Sequence, residues 1–109
     1  MNKLVVYVTE AGKTPFDDWF NGLDTAAALK VRTALARIET GNLGDVKPVG
    51  QGMSERCITF GPGYSVYFGQ DGDTLVILLC GGTKKRQLKD IKQAKEFWED
   101  YKARKRKGD

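Results

Sequence analysis

Between Met53 and Cys80 the chain alternates between β-forming runs and tight turns, and that block constrains the fold more than any other stretch. Met53 to Phe60, Tyr64 to Gly69 and Thr74 to Cys80 read as three strands, rich in β-branched and aromatic residues. Gly61-Pro62-Gly63 and Asp71-Gly72-Asp73 join them, and connections this short force antiparallel hairpins. Val46 to Val49 offers an earlier start to the sheet, which Pro48 would confine to an edge. Gly81-Gly82 reads as the end of the third strand.

The flanking segments supply helices and one more strand. Lys3 to Thr9 reads as the first strand. Thr14-Pro15 starts a short helix, with a hydroxyl to cap free N–H groups and proline at the first helical position. Phe16, Trp19, Phe20 and Leu23 give it one aromatic face. Asp24 caps a second helix that runs to about Thr40 and stops at Gly41, with Ala28, Val31, Leu35 and Ile38 as its apolar stripe. A last helix from about Leu88 carries Ile91, Ala94, Trp98 and Tyr101 on one face, which reads as core. The order β-α-α-β-β-β-α implies a single α+β domain over residues 1–109: a twisted, mostly antiparallel sheet with an N-terminal helical hairpin on one face and a C-terminal helix.

Charge is distributed unevenly. Met1 to Thr83 holds 7 Lys/Arg against 9 Asp/Glu, a net −2, whereas Lys84 to Asp109 holds 11 against 5, a net +6. This asymmetry points to a polyanionic partner met by the C-terminal quarter. Lys102 to Lys107 reads as a frayed, like-charged tail. No apolar run is long enough to span a bilayer, and the N-terminus lacks a signal-peptide pattern, so a cytoplasmic protein is expected. Cys57 and Cys80 lack metal-type spacing and read as free thiols in a reducing compartment.

A sheet covered on one face leaves the other open, and strand alternation assigns residues to each. Val66, Phe68, Ile58 and Phe60 should face the helices, with Ser65, Tyr67, Glu55, Cys57 and Thr59 on the open side. Arg56 shares the inward parity of Ile58, with a stem long enough to reach solvent near a strand end. Thr83-Lys84-Lys85-Arg86, on a loop after the most apolar strand, suits a phosphodiester: Lys84, Lys85 and Arg86 would grip it and stabilise developing charge. The chain has no histidine, its carboxylates form no evident metal cage, and Asp71 and Asp73 are more simply turn residues. RNA cleavage would therefore use no metal or cofactor, with Lys or a carboxylate moving protons.

The stretches FGPGYSVYF, DGDTLVILLCGG and KDIKQAKEFWEDY, together with TPFDDWFNGLD, closely resemble the addiction-module killer proteins, a HigB-like branch of the RelE/ParE toxin superfamily. The resemblance covers nearly the whole chain. It implies a RelE-like fold and a small antitoxin partner, usually of helix-turn-helix type. It also implies either ribosome-dependent mRNA cleavage or gyrase inhibition. The branch pattern reads E-L-R-I and G-Y-R-V-Y-F, where this chain has Glu55-Arg56-Cys57-Ile58 and Gly63-Tyr64-Ser65-Val66-Tyr67-Phe68. Cys57 and Ser65 thus stand where arginines are expected. The basic loop of such nucleases is retained in kind as Lys84, Lys85 and Arg86, the expected catalytic group, and Lys47 resembles a basic residue that faces RNA in them; Arg56 and Tyr67 are expected to contact RNA as well. Three readings follow: a metal-free mRNA endonuclease acting on the ribosome, attenuated at Cys57 and Ser65; a gyrase inhibitor; or an inactive antitoxin-binding homologue.

Overall fold

The computed structural model describes residues 1–108. Its elements are β1 (Lys3–Val6), α1 (Pro15–Asn21), α2 (Thr25–Glu39), β2 (Val46–Gly50), β3 (Met53–Ile58), β4 (Tyr64–Asp71), β5 (Leu75–Thr83), a 3-10 turn (Lys84–Arg86) and α3 (Gln87–Gly108). The strands form one mixed sheet in the order β1-β5-β4-β3-β2. β2 to β5 are an antiparallel meander, as the tight turns require, and β1 adds to β5 in parallel.

Asp24 caps α2 by accepting from the Ala27 amide at 2.8 Å, and Gly41 takes the left-handed conformation just beyond its end (φ 91°). Proline starts α1, but the Thr14 hydroxyl makes no capping bond. The segment Val46–Gly50 is a full edge strand, with its register broken between Pro48 and Gly50. Such a break suits an edge, because it discourages pairing with another chain. β5 runs through Gly81-Gly82 to Thr83 instead of ending there. α3 continues helically through Lys102–Lys107, the stretch read as a frayed tail.

The largest departure concerns the sheet's second face. α1 and α2 cover one face, where Val31, Ala34 and Ile38 meet Ile58, Val66, Phe68, Val76 and Leu78. The other face is not open. α3 lies across it, and Ala94 and Trp98 pack with Met53, Tyr67, Ile77 and Leu79. Glycine makes this close approach possible. A Cβ at Gly69 would sit 2.5 Å from the Trp98 ring, and one at Gly82 would collide with the Asp90 carboxylate. Gly81 plays the same part on the opposite face against Trp19. No helix among the described residues is long and apolar enough to cross a membrane.

Candidate functional site

The residues singled out by sequence converge where β5 hands over to α3. The Lys84 amide donates to the Gly63 carbonyl at 3.1 Å, tying the basic turn to the β3–β4 turn. Gly63 is left-handed (φ 83°), and a side chain there would press into the Lys84 stem. Lys84 is half-buried and its ammonium donates to the Cys57 sulfur at 3.1 Å. That contact holds Lys84 charged above its ordinary range against the opposing effect of burial, with smaller help from the Glu55 and Asp45 carboxylates.

Strand register places the remaining groups. Cys57 pairs with Ser65, and Glu55 pairs with both Tyr67 and Lys47 across its two neighbouring strands. Directly paired residues share a face, so Lys47, Glu55, Tyr67, Cys57 and Ser65 all lie on the α3 side. Glu55 is the hub. It is 1% exposed, and its carboxylate accepts from Ser65 Oγ (2.6 Å), Gln87 Nε2 (2.7 and 3.0 Å) and Tyr67 Oη (3.2 Å). Burial raises the Tyr67 phenol well above its usual range, and the Glu55 charge adds to the shift. Tyr67 is therefore a donor to the carboxylate at any physiological pH.

Outside this buried knot, Lys85 and Arg86 are exposed. With Lys84, Gln87, Leu88 and Lys89 they line an open groove of about 490 Å³. Leu88 is 86% exposed there, so the groove offers an apolar contact beside its cations. Asp90 borders the site from the first turn of α3. Burial raises its carboxyl, partly offset by Arg86 and Lys89, and its Oδ2 is buried without a hydrogen-bond partner. Among the described residues no group of three or more His, Cys, Asp or Glu is arranged to hold a metal ion.

No family profile matches the chain. An uncharacterized protein of Haemophilus influenzae is 47% identical over 81 residues, which span 73% of this chain and 82% of the relative. The chain belongs to that protein's family.

In this family member, Cys57, Ser65, Tyr67 and Lys84 gather around Glu55, and Lys85 and Arg86 flank them at the surface. Lys47 reaches the same face from the exposed edge strand. Two expectations need correction. Tyr67, placed against RNA on an open face, is 0% exposed because α3 roofs it. Arg56 is 8% exposed and belongs to the α2 side of the sheet, as its parity with Ile58 indicated, so it cannot join the basic turn. Sequence reasoning put Glu55 on the correct face but gave it no role, and it missed Gln87 and Asp90. The signal for Glu55 was its shared parity with Cys57. Gln87 and Asp90 become visible only once α3 is known to cover that face.

Proposed function

We propose that this protein is a HigB-like toxin of the RelE/ParE superfamily, a ribosome-dependent endoribonuclease of the cytoplasm in an attenuated form, restrained by a small helix-turn-helix antitoxin. The observation that carries this reading is the register pair Cys57–Ser65 beside Glu55 and next to Lys84. Both positions where the resemblance calls for arginine face each other at the foot of the exposed basic turn. Cys57 and Ser65 are buried, so arginine stems there would run out beside Lys84 to add two guanidinium groups to the Lys84–Arg86 cluster. In the chain as it stands, Lys84, Lys85 and Arg86 hold the RNA phosphate, and no side chain supplies the remaining charge. Loss of one such charged contact costs about 3–4 kcal/mol, a hundredfold or more in rate.

The test is induction of this chain alone in growing cells, beside its Cys57→Arg/Ser65→Arg variant, with protein synthesis and mRNA 5′ ends followed over minutes. Translation arrest by the variant, with weak or no arrest by the native chain, is the expected result. If neither chain arrests translation, the nuclease reading falls.

A second reading, an inactive homologue that only binds its antitoxin, draws support from the structural part Glu55 plays. Ser65, Tyr67 and Gln87 all donate to its carboxylate and tie it into the buried knot under α3. Full antitoxin affinity with no growth effect from either chain would select it.

A further inference from the structure

Arg56 is the odd residue of β3. Its partners across the sheet are Val46 and Val66, and its face is the apolar one packed under α2. A guanidinium there should have a carboxylate partner, because an uncompensated buried charge is strongly destabilising. None of the ion pairs among the described residues includes Arg56. One terminal nitrogen donates to the neighbouring Cys57 carbonyl, and Nε is buried with no partner. Gly44, left-handed at φ 69°, leaves room for the group, since a Cβ would come within 2.9 Å of it.

The cleft beside Arg56 is also cationic. Lys30, Thr33, Ala34, Arg37, Ile58 and Thr59 complete its lining around about 170 Å³. Lys30 and Arg37 are exposed and take part in none of the ion pairs; the Lys30 ammonium stands 5.5 Å above the Phe60 ring. The Thr33 hydroxyl donates to the Leu29 carbonyl and offsets none of this charge. Three cations thus border one small cleft that contains no carboxylate.

We propose that this cleft is an oxyanion site, in which Arg56, Lys30 and Arg37 bind one phosphate group on the face opposite the basic turn. The guanidinium supplies planar, directional donors at the base of the cleft, and the two exposed cations close over the anion from α2. At about 170 Å³ the cleft has room for a tetrahedral oxyanion beside the guanidinium. Free phosphate and the terminal phosphate of a nucleotide share this chemistry. The site goes beyond the nuclease reading and does not depend on it.

The test is a thermal-shift and phosphorus-NMR titration of the full chain with inorganic phosphate, run against chloride at constant ionic strength. A saturable rise in melting temperature is expected. Arg56→Leu, which places an aliphatic group between Val46 and Val66, should fold, melt higher than the native chain in phosphate-free buffer, and lose the phosphate response. Arg37→Ala should weaken phosphate binding about tenfold. Lys92→Ala, an exposed cation of α3 outside both sites, should keep the response. A nucleoside 5′-monophosphate that binds no tighter than phosphate assigns the site to the free ion, and tighter binding assigns it to a nucleotide terminus. Both of those results support the site. Absence of a saturable effect, survival of the effect in Arg56→Leu, or its loss in Lys92→Ala would overturn it.

Discussion

The seat of Trp98 on Gly69 gives a quantitative handle on the roof over the site. Replacing Gly69 by Ala sets a methyl group 2.5–2.6 Å from three atoms of the Trp98 ring, where carbon–carbon contact is comfortable at about 3.5–4.0 Å. The ring cannot simply swing aside. Its Nε1 donates to the Gln51 carbonyl at 2.7 Å, and its face stacks on Tyr101 with centroids 5.4 Å apart. Relief therefore needs α3 to retreat by about 1 Å, and overpacking of this kind costs roughly 1–3 kcal/mol. Alanine in a strand recovers at most about 0.5–1 kcal/mol relative to glycine, leaving a net loss of up to about 2.5 kcal/mol and centred near 1 kcal/mol. In urea, with a slope of about 1–1.5 kcal/mol/M, the midpoint should fall by about 1 M at unchanged slope. Trp98→Phe shortens the ring and should absorb much of the clash, so the double variant should lose about 0.5 kcal/mol or more less than the two single losses combined. A Gly69→Ala midpoint equal to the native one, or strict additivity with Trp98→Phe, would refute this account of how α3 is seated.

Two further outcomes follow from paired carboxylates and from the helix caps. Asp71 is held below the usual carboxylate range by its hydrogen bonds from Lys105 and then Tyr101, and Asp100 by those from Tyr7 and then Arg104. Depressed folded values mean that this stability is present above the unfolded carboxylate pKa of about 3.9 and is lost as pH falls through the lower folded values. A melting-temperature series should accordingly steepen below about pH 4, and Asp71→Asn/Asp100→Asn should flatten it. Asp24→Ala removes the side-chain acceptor at the start of α2 and should cost about 1 kcal/mol in chemical denaturation, whereas Thr14→Ala should cost far less because that hydroxyl caps nothing.

Local rules made much of this architecture legible. Gly61-Pro62-Gly63 and Asp71-Gly72-Asp73 dictated the meander, Asp24 and Gly41 bounded α2, and alternation put Cys57 and Ser65 on one face with Val66 and Phe68 on the other. The covering of the second face was harder to read. The apolar stripe Ile91, Ala94, Trp98, Tyr101 says that α3 must be buried, but not against what. The clue lay in the glycines. Gly69 and Gly82 interrupt otherwise bulky strands because a helix passes close there, yet Gly82 read more naturally as a strand end. Seating only the N-terminal helical pair on the sheet left open a face that α3 closes, and exposed a Tyr67 that is buried. Arg56 shows the converse: its inward parity was plain, but a long side chain invites the assumption of escape to solvent, and Gly44 lets it stay inside.

The parallel pairing of β1 with β5 sets a schedule for making this protein. Lys3 finds its register against Leu75 and Val6 against Leu78, whereas every other strand pairs with its neighbour in sequence. The meander can assemble from local hairpins as it leaves the ribosome, but the first strand synthesised must wait for the last. Until then β1 is an unpaired strand segment that the folding domain must keep from other partners, and in the finished sheet its outer edge still has no strand beside it.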